Sequence, residues 1–225
     1  TTALVIISMG AASFAVAKLL RRDWRVLIAP MMYPNTGNMG LPVVLYAFGS
    51  AGFAYGITVM VTVSLFQFTL GAVLSSSGSP IKTLIKTPTV YAILISMTLL
   101  LTDTPLPLWM ANTVDLMSGF TVPLMLITLG VSLASIQVKS LRSGVGFSLI
   151  RIPLAAAAAW FISGWLGLPP LAQSILVVQM CMPVAVFNYL FAQRARREPA
   201  YVASLVFCST LMALIYLPVL LALLM

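Results

Sequence analysis

The sequence contains no histidine and only four acidic residues, Asp23, Asp103, Asp115 and Glu198, in a length of 225. Without histidine there is no Ser–His catalytic pair and no His-ligated zinc. No aspartate pair sits at depth in an apolar run, as an intramembrane aspartyl protease would need. No Gly-x-x-x-x-Gly-Lys loop is present to cradle the phosphates of ATP. The chain therefore reads as a non-enzyme, with no cofactor and no metal site. Cysteine is also scarce. Cys181 and Cys208 both lie in apolar runs without zinc or redox spacing, and fit small packing residues better than a disulfide. Charge of either sign amounts to only 7% of the residues.

Hydrophobic residues dominate, at 61% with a mean hydropathy of +1.08. A soluble domain of this length does not have that composition, so the lipid bilayer is the first expected partner. Twelve Lys and Arg give a net charge of +8. They fall in short loop clusters, a pattern that reports orientation in a membrane and not nucleic-acid binding. The chain opens at Thr1 and enters an apolar run with no basic leader before it. That argues against a signal peptide and for an N-terminal piece that is missing.

Hydropathy predicts eight spans, at about 2–19, 26–48, 53–74, 87–101, 112–136, 141–166, 171–192 and 200–225. The loops between them alternate in charge. Lys18, Arg21, Arg22 and Arg25 follow the first span, Lys82 and Lys86 the third, Lys139 and Arg142 the fifth, and Arg194, Arg196 and Arg197 the seventh. The intervening loops carry no basic residue. Eleven of the twelve basic residues thus share one side, expected to be the cytoplasmic one of a multi-pass cell-membrane protein.

From Val26 to Ile81 no residue is charged, yet the middle of that stretch reads Pro34-Asn35-Thr36-Gly37-Asn38-Met39-Gly40-Leu41-Pro42. Proline removes a backbone donor and clashes with the preceding turn, so the second span must break there. Non-helical backbone at membrane depth is tolerated only inside protein or along a polar cavity. The seventh span carries a second anomaly, Gln179-Met180-Cys181-Met182-Pro183, followed by Asn188. It comes five spans later and so runs in the opposite direction, as an inverted repeat of five helices requires. The following spans echo each other weakly: Ala54-Tyr55 with Ala200-Tyr201, Thr58 with Ser204, Ser64 with Thr210.

A half-helix starting near Gly40 to Pro42 points free N–H groups and partial positive charge at the break, and the chain after Pro183 does the same. A carboxylate is the natural guest of such termini, with Asn35 and Asn38 adding neutral amides. The expected substrate-binding residues are Pro34, Asn35, Thr36, Asn38, Gly40, Pro42, Pro183, Asn188 and Arg151. Asn188 fits a helix–helix hydrogen bond nearly as well. Arg151 is the one basic residue inside a span; an anion contact or gate, snorkelling to the interface, and pairing with a backbone carbonyl are all open to it. Asp115 suits an interfacial place. The Gly52–Gly56 pattern and the Ala155–Ala159 run suit close helix packing.

The motif Tyr33-Pro34-Asn35-Thr36, Gly40-Leu41-Pro42, Tyr46 and Gly49 resembles the fourth helix of auxin efflux carrier family permeases. So does Met182-Pro183 with Ala192-Gln193, Val206-Phe207 and Pro218 near the C-terminus. The likeness covers the chain as helices three to ten of ten, in the short form of bacterial members. The resemblance implies an all-α integral membrane protein of two inverted five-helix repeats, eight helices being present here, with two broken helices crossing at the substrate. Residues 1–80 would be the last three helices of the first repeat, with crossover helix 26–48. Residues 81–140 would be scaffold helices of the second, and 141–225 its last three, with crossover helix 171–193. It also implies transport of a small organic anion, a mono- or dicarboxylate, by alternating access, and homodimer formation through the scaffold helices. A channel or membrane receptor using the same crossing is the rival expectation; saturable flux would favour the carrier and single-channel conductance the rival.

Overall fold

The computed structural model of the protein describes residues 1–71, 88–135 and 140–225. Helix α1 (Thr2–Leu20) ends on a left-handed cap at Arg21, whose N–H returns to the Ala17 and Lys18 carbonyls. Asp23 then caps α2 (Trp24–Met32), its carboxylate accepting the Arg25 N–H at 2.9 Å. After nine residues α2 stops. The chain runs on through Tyr33–Asn35, winds a π-helical turn over Thr36–Gly40 and enters α3 (Leu41–Phe66). Gly49 turns a corner inside α3 with φ 68° and ψ −163°, a conformation that a residue with a Cβ adopts only under strain. A second π-helical turn, Gln67–Gly71, closes that path.

There follow α4 (Pro88–Leu101), α5 (Leu108–Ser135), α6 (Leu141–Trp165), α7 (Pro170–Cys181), α8 (Val186–Ala195) and α9 (Pro199–Leu224). Ser140 caps α6 by accepting the Ser143 N–H. Among the described residues, five helical paths are long and apolar enough to cross a membrane: Thr2–Leu20, Thr36–Gly71, Leu108–Ala134, Leu141–Trp165 and Pro199–Leu224. The chain is an all-α, multi-pass membrane protein. Fewer uninterrupted spans appear than the eight expected, for physical reasons. A straight crossing needs about 20 residues. The second and seventh spans are each cut in two, and α4 has only 14 residues. The second half of the second span continues around Gly49 into the third. The end of the third span, Lys82, Lys86 and Lys139 lie outside the described residues.

The core joins α1, α2, α6, α7 and α9 through side chains such as Met9, Leu27, Met31, Ala155, Leu176 and Leu205. In lipid, helices gain most by close backbone approach, so small residues mark the contacts. Gly144 of α6 lies so near the Ser204 carbonyl and Cys208 that an added Cβ would overlap both. Ala155, Ala159, Gly52 and Gly56 are buried as their spacing suggested, and Cys181 and Cys208 are buried and free. A second cluster gathers Met39, Val44, Ile175 and Met182 around Leu129 of α5. Leu133 also packs there, and most of the rest of α5 faces outward, with Trp109 and Leu116 largely exposed.

The ends of the bundle differ in charge. Arg22 forms an ion pair with Glu198 at 2.9 Å and lies 4.6 Å over the Tyr201 ring. The Ser140 N–H donates to Ser204 Oγ at 3.2 Å. The basic loops after α1 and before α9 and the start of α6, which carries Arg142, therefore share one end. At the other, Thr1, Tyr55, Leu168 and Pro169 line a groove of about 390 Å³ with no charged side chain.

Candidate functional site

The two interruptions meet. Tyr33–Asn35 and Pro183–Ala185 form an isolated antiparallel bridge centred on Pro34 and Val184. The Asn35 N–H donates to the Pro183 carbonyl at 2.7 Å, and the Ala185 N–H to the Tyr33 carbonyl at 3.2 Å. Each proline dictates part of this pattern. Pro34 has no N–H to give the Pro30 carbonyl four residues back, and Pro183 none for the Gln179 carbonyl. Backbone groups freed in this way cannot stay unpaired in an apolar interior: the Gln179 carbonyl accepts the Met182 N–H at 3.2 Å, and others pair across the crossing or with side chains.

Arg151 serves three carbonyls beside the two interruptions. Its Nε donates to the Pro30 carbonyl at 2.9 Å, Nη1 to Met182 at 2.9 Å and Nη2 to Met180 at 3.5 Å. The side chain is 1% exposed and reaches the crossing from α6. Of the roles open to Arg151 in the sequence, its contacts are those of carbonyl pairing: a planar fork of donors tying the C-terminal ends of α2 and α7 together, where the helix dipoles leave partial negative charge. The Cys181 carbonyl is taken by the Tyr216 hydroxyl at 2.6 Å, and the Val184 N–H by Ser209 Oγ at 3.0 Å.

Asn35 is buried and its amide Nδ2 has no hydrogen-bond partner among the described residues. Asn188 is committed instead. Its Nδ2 donates to the Tyr33 carbonyl at 2.9 Å, and its Oδ1 accepts from Gln67 Nε2 at 3.4 Å. Thr36 is buried beside Asn35, and Asn38 is half-buried on the same π-helical turn. The helical path resumes at Thr36, earlier than expected, so Gly40 and Pro42 sit a turn inside it and not at its mouth. The site therefore brings Pro34, Asn35, Pro183, Asn188 and Arg151 together, with Thr36 and Asn38 alongside and Pro42 further along. Asp115, on the exposed face of α5, stands apart.

Gln67 and Gln179 escaped the set of expected site residues. The available signal was a buried-length amide inside an apolar run, as in Phe66-Gln67-Phe68. Gln179 donates Nε2 to the Gly56 carbonyl at 3.4 Å, while its Oε1, against Gly40, has no partner among the described residues. A Cβ on Gly40 would overlap that oxygen. Gly40→Ala should therefore lower stability by about 1–3 kcal/mol, the usual cost of overpacking. Thermal unfolding checks this, and Gln179→Ala introduced alongside should restore most of the loss.

Two broken helices joined backbone to backbone inside an apolar bundle, with polar amides at the joint, define a membrane transport protein. Residues 72–221 match the family model described as Membrane transport protein, and the chain belongs to that family, the family of the auxin efflux carriers. An uncharacterized transporter of Methanothermobacter thermautotrophicus is 30% identical over 210 residues, an alignment covering 88% of this chain and 67% of the relative. An uncharacterized transporter of Methanocaldococcus jannaschii is 27% identical over 202 residues, covering 84% of this chain and 65% of the relative. The chain thus spans about two thirds of the length of these relatives.

Proposed function

We propose that the chain is the larger part of a secondary transporter that carries a small organic anion, a mono- or dicarboxylate, by alternating access at the crossing. The observation that carries this is the Asn35 amide, buried beside the bridge with a donor that nothing among the described residues accepts. An unmet buried donor costs free energy in the empty protein and is repaid when an anionic oxygen arrives. Arg151 adds a buried positive charge with no acidic partner among the described residues, which raises the potential at the crossing without offering the anion a fixed partner too strong to leave. The half-helix from Thr36 adds its partial positive end.

In this reading the interrupted second and seventh spans are the crossover helices of two inverted five-helix repeats, with 1–80 and 141–225 as moving parts and 81–140 as scaffold. The α4–α5 surface would then be shared between the bilayer and a second copy of the protein. The basic end is cytoplasmic by the positive-inside rule. The outward-facing apolar side chains of α4 and α5 agree with a surface that lipid or a partner covers.

Thermal unfolding of the full-length protein against matched ligands tests the charge preference. A dicarboxylate at a hundred times its Kd should stabilise by about 2.7 kcal/mol, by mass action. Its diamide and a diamine of the same length should leave the transition where it was. Stabilisation by the amine or the amide in preference to the acid would overturn the anion assignment.

A further inference from the structure

We propose that Gln67, on the π-helical turn that follows α3, is a positioning residue for the substrate site, pinning the Oδ1 end of the Asn188 amide so that the side chain keeps one setting at the crossing. The proposal rests on the crossing being that site. Gln67 is buried at 5% exposure and gives its Nε2 to Asn188 Oδ1 at 3.4 Å. The Tyr33 carbonyl can only accept, so it fixes the orientation of the Asn188 amide with Nδ2 toward it, at 2.9 Å. Gln67 holds the opposite end by donating to Oδ1. With both ends held, the amide plane has one setting at the crossing; without Gln67 it is tethered at one end only.

The same turn grips the other crossing strand. The Tyr33 hydroxyl donates to the Phe66 carbonyl at 3.1 Å, immediately before Gln67. A Cβ on Gly71, at the far end of the turn, would come within 2.9 Å of the Tyr33 ring. One π-helical turn therefore touches Tyr33 on the first interrupted helix and Asn188 on the second. Asn188 also lines a pocket of about 10 Å³, the room of a single water, together with Arg25, Ala29, Ala192 and Arg197 near the basic end. The oriented amide stands between the crossing and that opening.

Two measurements on the full-length protein test this. In proteoliposomes with labelled succinate as probe, Gln67→Met, which keeps the volume and removes the polar group, should raise KM about five- to tenfold with the maximal rate nearly unchanged, the scale of one buried hydrogen bond lost. In an Asn188→Ala background the same substitution should do nothing further, since it acts through Asn188. Additive effects, or an equal loss of maximal rate at unchanged KM, would overturn the proposal.

The second measurement needs no substrate. With Cys181 and Cys208 replaced by alanine, Ala192→Cys places a single thiol on the wall of the water-sized pocket. Its reaction with a water-soluble maleimide should change at least about threefold when Gln67→Met frees the Asn188 amide beside it, and should not change when Asn188 is already alanine. An unchanged rate where Asn188 is intact, or the same change where Asn188 is alanine, would overturn the proposal. If wild-type protein takes up no succinate, the thiol rates alone decide about Gln67.

Discussion

Arg151→Met should cost the protein more stability than any other single substitution at the crossing, by more than about 3 kcal/mol. The reason is the number of carbonyls left behind. Pro30, Met180 and Met182 each lose a charged donor, and the Pro30 carbonyl has no helical partner to return to, because the residue four positions on is Pro34. A buried acceptor without a donor costs on the order of 1–3 kcal/mol. Lysine should rescue only part of the loss, because a single ammonium cannot span three carbonyls with the geometry of a guanidinium. Thermal unfolding in detergent, with the yield of monodisperse protein, checks both substitutions. A variant with methionine that melts as the wild type does would mean that water or lipid headgroups satisfy these carbonyls, and that Arg151 is kept for its charge alone.

Asn35→Ala should separate function from stability in the opposite sense. The substitution removes a buried donor that has no partner, so the melting temperature should stay level or rise slightly. Affinity for a transported carboxylate should fall by about 1–3 kcal/mol, roughly five- to 150-fold in KM or Kd. Asn188→Ala provides the contrast. It breaks the bond to the Tyr33 carbonyl and should lower the melting temperature as well as affinity. Uptake kinetics and unfolding curves measured on the same preparations distinguish the two patterns. Unaltered transport by the Asn35 variant, with Asn38→Ala also silent, would move the binding site away from the bridge.

Much of this arrangement was legible because proline and charge leave local marks. Pro34 and Pro183 forbid a continuous helix wherever they fall, and a run of loops alternating in basic content can be counted without knowing any contact. The Ala155–Ala159 and Gly52–Gly56 patterns likewise announced close packing through residue size alone. What could not be read were the partners. Arg151 lies 121 residues from Pro30 and 31 from Met182, and nothing in its neighbourhood indicates that backbone carbonyls await it. Gln67 sits in an apolar span like any stray amide until the fold brings Asn188 to it from 121 residues away. The start of the second half-helix was misjudged by one turn because a π-helical turn has no strong composition of its own. Thr36–Gly40 looked like loop, and it winds.

The two prolines at the crossing also act as a ratchet pawl. In the observed pairing each offers only its carbonyl or its ring, and the N–H donors come from Asn35 and Ala185. Sliding one strand along the other by a single residue would bring a nitrogen without hydrogen to a carbonyl that needs one, so the pair has a single permissible alignment. In the alternating access proposed above, a hinge fixed in this way would not shear, and displacement between the halves of the bundle would be absorbed away from it, as at the Gly49 corner and the Leu129 contact of α5.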